Sequence, residues 1–429
     1  METILKYDKR VKVFNTVKNP RRQSIWSIWL IGCLSKLFLL KQKRKLEKFN
    51  MEGLKPPYLM LCNHNQFMDF EVAALATFPR RMNNVASLDA YTVWPWLIRN
   101  IGTIPKRKFN RDTALIKQIK YTLTEYKNIT TIYPEARYGP IGTTAKLPDS
   151  LFKMIKMLGM PVVVFKMQGH HLQKPNWTLK RRKVPIYASM TQVLTKDDIK
   201  NKDSTEIKQI VTDAFEYNDY DYQLKNNIQI TEPDRAEGLE KVLYQCKACG
   251  KEFSITSKGA KISCSDCGKV WELRADGRLQ DADGKFENVP DWYEWQRGQV
   301  RKQILDGSYS FEEQDIMMHS MPHPKKMIPI GKVSFRHDNN GLKVKGNYNG
   351  QDFEIVKEPL ENYAAHIEYA TPFLKRSDII SFSDKNDSYF FVSKNPNTIQ
   401  KLSLAVEELY EFIRAKALVG VKLGVKNKA

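Results

Sequence analysis

Four of the six cysteines lie in two Cys-x-x-Cys pairs, and this spacing constrains the fold of the 429-residue chain more than any other sequence feature. The pairs, separated by fourteen residues, are Cys246 with Cys249 and Cys264 with Cys267. This is the ligand spacing of a structural zinc ribbon, and Gly250 and Gly268 follow the pairs where the knuckle turns need a positive φ. Because four thiolates leave no open coordination position, we expect a structural Zn²⁺ ion in a reducing compartment.

The residues around these cysteines suit two kinds of partner. Zinc ribbons often bind nucleic acid. The module carries four lysines that would suit such a role: Lys247, Lys251, Lys258 and Lys261. Aromatic residues for stacking bases are few, however, and Phe253 and Trp271 serve equally well as the core of a small module. A contact with protein or with another domain is therefore favoured over nucleic acid.

The N-terminal region combines positive charge with a short apolar segment. The formal net charge of the chain is +21, and residues 1–50 hold 13 Lys and Arg against 3 Asp and Glu. Residues 25–40 are mostly apolar and contain two tryptophans, but 16 residues are fewer than the roughly 20 needed to span a bilayer. This pattern predicts basic amphipathic helices that bind an anionic membrane surface, the alternative being a helix packed on the next domain. No secretory signal precedes the apolar segment, so we expect a peripheral or monotopic protein on the cytoplasmic face of the membrane.

Residues 56–199 alternate short apolar runs with segments of helical periodicity. Strands are predicted at 58–62, 130–133 and 162–166. Helices are predicted at 68–77, 113–126 and 150–158. This alternation is typical of an α/β domain in which helices flank a mixed sheet.

The C-terminal third predicts a different architecture. Residues 291–318 have a helical pattern, and the proline-rich MPHPKKMIPIG segment that follows is interpreted as a linker. Several strand-like segments and one final helix, at about 396–417, then suggest a small pleckstrin-homology-like β-barrel. The predicted units are N-terminal membrane-anchoring helices (1–50), an α/β domain (51–235), a zinc ribbon (241–280), a helical linker (281–325) and the barrel with its C-terminal helix (326–429).

A histidine and an aspartate follow the first predicted strand of the α/β domain. The segment Asn63-His64-Asn-Gln-Phe-Met-Asp69 joins that strand to the helix predicted from residue 68. On one continuous helix, residues five apart would point about 140° from each other, so contact requires His64 in the turn and Asp69 in the first helical turn. An imidazole held by a carboxylate keeps one tautomer, and its other nitrogen is free to take a proton from a hydroxyl. The alternative is a histidine that makes only a structural hydrogen bond.

Three further segments follow this pair in order: Gly102-Thr-Ile-Pro-Lys-Arg-Lys108, Tyr133-Pro-Glu-Ala-Arg137 and Met160-Pro-Val-Val-Val164. Together with the His-Asp block, they resemble the four ordered blocks of the glycerolipid acyltransferase superfamily, which includes the 1-acylglycerol-3-phosphate acyltransferases. The resemblance covers roughly residues 50–200. It implies transfer of a fatty acyl group from acyl-CoA or acyl carrier protein to the hydroxyl of lysophosphatidate, giving phosphatidate. Such a reaction needs no metal for catalysis, because the thioester is already activated.

The resemblance also implies roles for individual residues. His64 would be the general base and Asp69 its orienting partner. The basic cluster would bind the acceptor phosphate, with Arg107 as the main ligand, because a guanidinium can bind a phosphate at two points. Its helpers would be Lys106 and Lys108.

The third block departs from the family pattern. Glu135 and Arg137 are expected to bind substrate, but Ala136 replaces a glycine and one residue is missing before the arginine. This departure favours a catalytically silent protein that binds lipid as a scaffold. The sequence is also compatible with an acyltransferase for another lysophospholipid or a glycolipid, and with a basic nucleic-acid-binding protein built around the ribbon.

Overall fold

A computed structural model gives the structure of residues 12–40, 42–92, 95–110, 112–371 and 374–426. These residues form an α/β domain (12–235), a small ribbon that contains the four cysteines (239–287), and a C-terminal domain made of one long helix, a sheet and a final helix (289–426).

The sheet of the α/β domain has seven strands in the order β1-β7-β6-β2-β5-β3-β4. All described neighbours in it are parallel except β6 and β7, so the predicted mixed sheet is confirmed. The strands are β1 (Arg44–Phe49), β2 (Tyr58–Cys62), β3 (Met82–Ser87), β4 (Thr103–Lys106), β5 (Ile129–Ile132), β6 (Val162–Gln168) and β7 (Ile186–Leu194).

Helices cover both faces of this sheet. They are α1 (Ile25–Leu39), α2 (Met68–Thr77), α3 (Pro95–Asn100), α4 (Thr113–Thr124), α5 (Asp149–Leu158), α6 (His170–Gln173), α7 (Lys196–Asn201), α8 (Ser204–Phe215) and α9 (Asp219–Lys225). Side chains alternate along β2, so Leu59 and Leu61 pack with α4, α5 and α8, whereas Met60 and Cys62 pack with α2 on the opposite face. The central strands are therefore buried on both sides, which explains their continuous apolar runs.

The N-terminal prediction is correct in part. Residues 25–39 are helical, but α1 exposes apolar side chains and buries Ser27 and Ser35, so its outer face is largely apolar. Residues 44–49, predicted as part of the anchoring helices, form the edge strand β1 instead. Residues 1–11 of the predicted anchor lie outside the described residues. No helix in the described ranges is long and apolar enough to cross a membrane.

The ribbon is an antiparallel sheet of five short strands in the order β12-β11-β10-β9-β8. They are β8 (Ile255–Lys258), β9 (Lys261–Cys264), β10 (Val270–Leu273), β11 (Leu279–Asp281) and β12 (Phe286–Glu287). The buried residues of the ribbon and of the C-terminal domain form one continuous apolar core. Packing between Trp271 of β10 and Trp292 of the C-terminal domain joins the two, with ring centroids 4.9 Å apart.

The C-terminal domain begins with α10 (Val289–Asp306), as predicted, but the residues after it are not helical. The following strands form one antiparallel sheet in the order β16-β15-β14-β13-β19-β18-β17. They are β13 (Ser310–His323), β14 (Lys326–Asp338), β15 (Gly341–Tyr348), β16 (Gln351–Lys357), β17 (His366–Thr371), β18 (Ser377–Ser383) and β19 (Ser388–Val392). Helix α11 (Ile399–Lys426) packs against α10 and the sheet.

Two C-terminal predictions are wrong. The FEEQDIM segment at residues 311–317 lies within the region predicted to be helical, yet it forms part of β13. Pairing with β14 overrides the helix propensity of its Glu, Gln and Met residues. The segment predicted as a proline-rich linker contains the end of β13, the turn of the same hairpin and the start of β14. The predicted boundary at residue 326 therefore divides a hairpin. The closed pleckstrin-homology-like barrel is not confirmed, because the two end strands of the described sheet, β16 and β17, are not paired with each other.

Candidate active site

The turn between β2 and α2 brings His64 and Asp69 into contact. His64 lies two residues beyond the end of β2, and Asp69 is the second residue of α2. Nδ1 of His64 is 3.0 Å from Oδ2 of Asp69. Because a carboxylate oxygen only accepts, Nδ1 carries the hydrogen and Nε2 is left to take a proton.

The buried carboxylate of Asp69 also fixes the turn itself. Its Oδ2 accepts hydrogen bonds from the backbone N–H groups of Asn65, at 2.5 Å, and Gln66, at 2.9 Å. Burial alone would raise the pKa of Asp69, but the facing imidazoles of His170 and His64 outweigh burial and hold that pKa below its ordinary value. Asp69 is therefore a carboxylate that can orient an imidazole and stabilise its charged form.

The buried Glu135 holds the other side of the same turn. Its Oε2 accepts from the backbone N–H of His64 at 2.9 Å, and its Oε1 accepts from that of Ala145 at 2.8 Å. Burial raises the pKa of Glu135 to about 7, although these two N–H groups oppose the shift. The sequence predicted Glu135 as a substrate ligand, whereas both of its oxygens here bind backbone. In this structure it positions His64.

Two tyrosines flank the imidazole of His64. The ring centroids of Tyr133 and Tyr138 lie 4.4 and 4.5 Å from that of His64. The side chain of His64 is 21% exposed, whereas that of Asp69 is fully buried. The carboxylate of the pair is thus buried, whereas its imidazole is partly exposed to solvent. A general base needs this exposure in order to contact a substrate.

A second imidazole contacts the same carboxylate. Nδ1 of His170, the first residue of α6, is hydrogen-bonded to Oδ1 of Asp69. The site residues predicted from the sequence did not include His170. The available signal was positional: His64 and His170 each lie two residues beyond the end of a strand, and β2 and β6 are parallel neighbours whose carboxyl ends share one edge of the sheet.

Arg107, predicted as the main phosphate ligand, binds the C-terminal domain instead. Its Nη1 donates to the carbonyl of Met321 and to Oγ of Ser388, both at 2.9 Å. Its Nη2 donates to the carbonyls of Pro322, at 2.7 Å, and Asn386, at 2.9 Å. The residue is buried, and it follows β4, three strand positions or roughly 14 Å from β2. Its guanidinium is therefore not free for a phosphate in this structure.

The two flanking lysines also contact protein groups. Nζ of Lys106 donates to the carbonyl of Asn110 at 3.0 Å. Nζ of Lys108 lies 3.2 Å from a carboxylate oxygen of Asp89 and 2.7 Å from Nε2 of His366, a residue of β17. The C-terminal domain thus reaches the carboxyl edge of the seven-stranded α/β sheet through Arg107 and Lys108.

Arg137, the remaining predicted substrate ligand, is buried against α11. Its Nη1 forms an ion pair with Glu407 and lies 3.4 Å from Oγ of Ser403. Glu407 also pairs with Arg297 of α10 at 2.8 Å. Arg137 therefore joins the α/β domain to the two C-terminal helices, and substrate binding by it remains a prediction.

The four cysteines of the ribbon converge on one point. Their sulfur atoms all lie within 4.8 Å of one another, and Cys246 with Cys267, and Cys249 with Cys264, are 3.8 Å apart. Four thiolates placed 2.3 Å from a zinc ion in a tetrahedron would be separated by about 3.8 Å. The donor set and these two separations therefore fit one tetrahedral Zn²⁺ ion.

Comparison with known proteins identifies the domain that carries the His-Asp pair. Residues 40–168 match the family model for acyltransferases. These residues therefore form an acyltransferase domain. The matched residues of the acyltransferase domain include both members of the pair and all five predicted substrate ligands.

A search of curated proteins gives no match. Among solved structures, the chain is similar to the 1-acyl-sn-glycerophosphate (LPA) acyltransferase PlsC from Thermotoga maritima, with 16% sequence identity and a TM-score of 0.36. That alignment covers 44% of this chain and 76% of PlsC. At this TM-score the assignment of the acyltransferase domain rests on the family match.

Proposed function

We propose that the protein transfers a fatty acyl group from a thioester donor to the free hydroxyl of lysophosphatidate, giving phosphatidate. The observation that carries the proposal is the contact between Nδ1 of His64 and Asp69, which leaves Nε2 as a base at the partly exposed end of the pair. The acyltransferase family of the surrounding domain supplies the reaction class. Acyl-CoA and acyl carrier protein are the proposed donors.

The reaction follows from the roles of these two residues. The acceptor hydroxyl donates a hydrogen bond to Nε2 of His64, and its proton moves to that nitrogen as its oxygen forms a bond to the thioester carbonyl carbon. The tetrahedral intermediate then breaks its carbon–sulfur bond, and the imidazolium returns the proton to the leaving thiolate. Asp69 stabilises the imidazolium between these two steps.

We also propose that the protein binds the cytoplasmic face of an anionic membrane. Large apolar side chains of α1 are exposed, including Trp29 at 56% and Leu37 at 63%. Trp26 of α1 stacks on Trp96, which is 67% exposed, so the apolar surface continues onto α3. Phe67, between His64 and Asp69, is also exposed. Tryptophan beside basic residues suits the headgroup region, where a lipid hydroxyl would be available.

Substituting glutamate for both Trp29 and Leu37 should weaken binding to anionic vesicles at least about tenfold, because two exposed apolar side chains would no longer enter the membrane. Vesicle flotation measures this binding. The matched control is Leu305→Glu, since Leu305 is 60% exposed but lies on α10. Equal binding by all three proteins would contradict this docking surface.

One observation favours a second candidate, a catalytically silent lipid-binding scaffold. All five residues predicted to bind substrate make contacts with protein groups, and three of them, Arg107, Lys108 and Arg137, join the acyltransferase domain to the C-terminal domain. Under the enzymatic proposal, phosphate binding by Arg107 requires those contacts to open. Under the scaffold proposal they are permanent.

One assay separates the two candidates. The full-length protein is incubated with labelled acyl-CoA or acyl carrier protein and with lysophosphatidate, another lysophospholipid or a glycolipid alcohol in anionic vesicles, and the products are identified by mass spectrometry. We expect phosphatidate from wild type and at least about 100-fold less from His64→Ala, because general base catalysis is lost. If wild type and His64→Ala are equally inactive with every donor, the scaffold is correct. A product from another acceptor would correct the substrate alone.

A further inference from the structure

His170 lies on the far side of the catalytic carboxylate from His64. It is fully buried, and its Nδ1 is the hydrogen-bond partner of Oδ1 of Asp69. The other oxygen, Oδ2, receives Nδ1 of His64 together with the backbone N–H groups of Asn65 and Gln66. Among the described contacts, His170 is the only partner of Oδ1.

We propose that His170 is a positioning residue for acyl transfer, which holds the carboxylate of Asp69 in the orientation that presents Oδ2 to His64. This inference rests on the proposed function of the His64–Asp69 pair. A carboxylate bound through one oxygen alone can still pivot about that oxygen through small coupled changes in its side-chain torsions. A donor on Oδ1 removes that freedom and fixes the plane in which the imidazole of His64 must lie.

Burial makes this contact difficult to replace. Asp69 and His170 are both fully buried, so removal of the His170 donor would leave one oxygen of an ionised carboxylate without a partner. A displacement of the catalytic base by about 1 Å can lower a rate roughly 100-fold. The predicted consequence is therefore a loss of turnover with little change in the binding of donor or acceptor.

The backbone around His170 is held rigidly in place. The carboxylate of Asp219 accepts from the N–H groups of Gly169 and His171, both at 3.0 Å. Gly169 has a φ of +88°, and a Cβ there would lie 2.5 Å from the carbonyl of Pro185. The side chain of Asn63 bonds both backbone groups of Met167, at 2.7 and 2.8 Å, which ties the end of β2 to β6. The two imidazoles therefore follow two strands that are connected by these hydrogen bonds immediately before the site.

His171 provides a matched comparison. It is also fully buried, but its ring packs against Trp177 and Tyr220, and neither ring nitrogen has a side-chain partner. Burial lowers the pKa of His171 to about 3, so it is a neutral core residue. A substitution there tests the effect of altering a buried histidine in the same short helix without altering Asp69.

The experiment compares kcat and KM for both substrates, together with the thermal midpoint, in His170→Gln, His170→Leu, His170→Asn and His171→Gln. Asparagine can place an amide N–H near the position of Nδ1, whereas glutamine places it near Nε2 and leucine has none. We expect kcat to fall about 10- to 100-fold in His170→Gln and His170→Leu, with each KM within about twofold of wild type. His170→Asn should recover most of the loss, and His171→Gln should keep kcat within about threefold.

A variant already lacking the charge of Asp69 adds a second test. In an Asp69→Asn background, His170→Gln should change kcat less than about threefold, because His170 acts through that carboxylate. The proposal is overturned if His170→Asn is as slow as His170→Gln or His170→Leu, if His171→Gln loses as much kcat, or if the effects multiply in the Asp69→Asn background. If one of the Gln and Leu variants does not fold, the other decides. Wild-type activity in His64→Ala would instead overturn the proposed function.

Discussion

Asp69→Asn should lower kcat for acyl transfer about 100- to 1,000-fold with the thermal midpoint close to that of wild type. Three donors converge on Oδ2: Nδ1 of His64 and the backbone N–H groups of Asn65 and Gln66. An asparagine would keep its carbonyl oxygen at that position, since its amide nitrogen would oppose all three N–H groups. The tautomer of His64 is therefore retained, and the loss comes from the missing charge that stabilises the imidazolium.

This expected loss is smaller than the roughly 10⁴-fold seen in the Ser-His-Asp enzymes when an asparagine imposes the wrong tautomer. Steady-state kinetics with lysophosphatidate and acyl-CoA measure it, and KM should change little because Asp69 is fully buried. A kcat within about fivefold of wild type would show that the carboxylate only supports the fold of the turn.

We propose that the four cysteines hold a structural Zn²⁺ ion, and its removal should unfold the ribbon and loosen the C-terminal domain. Apparent binding free energies of about 10–16 kcal/mol for structural zinc are of the same size as the about 5–15 kcal/mol that stabilises a typical domain. Cys246 and Cys264 are buried in the apolar core that the ribbon shares with the C-terminal domain. The indole N–H of Trp292 in α10 also donates a hydrogen bond to the carbonyl of Gln245 at 2.9 Å. Unfolding of the ribbon would therefore remove a direct contact with α10.

Elemental analysis should give one zinc ion per chain. Chelation or Cys264→Ser should abolish zinc binding and lower the thermal midpoint by about 10 °C or more. This is roughly the shift in thermal midpoint that a loss of several kcal/mol of stability produces. Cys33→Ser is the control, because Cys33 is an exposed cysteine on α1. A metal-free protein with an unchanged thermal midpoint and an unchanged proteolysis pattern across the ribbon would contradict the zinc assignment.

The local chemistry of the site could be read from the sequence because it lies within one strand, one turn and one helix. Residues 58–62 and 68–77 form the predicted strand and helix residue for residue, and the turn between them places His64 against Asp69. The cysteine spacing likewise predicted sulfurs that meet at one point. In both cases the interacting residues are close in sequence, so local geometry alone limits the arrangements they can adopt.

Long-range contacts could not be read in the same way. The partners of Arg107 lie more than 200 residues away, in the β13–β14 hairpin and the β18–β19 turn, and part of that hairpin was itself predicted to be helix and linker. Backbone carbonyls, the main acceptors of Arg107, carry no sequence signal. The contact of His170 with Asp69 could be predicted only from the knowledge that β2 and β6 are parallel neighbours. The order of the strands in the sequence does not specify which strands are neighbours in the sheet.

The central claim is that His64 and Asp69 act as one catalytic unit, and the kcat of the double variant His64→Ala/Asp69→Asn tests it most directly against the two single variants. Once the imidazole is absent, the carboxylate has nothing to orient or stabilise, so the double variant should be no slower than His64→Ala within about threefold. A double variant whose loss is the product of the two single losses would mean that the residues act independently, and the proposed base and its orienting partner would be wrong.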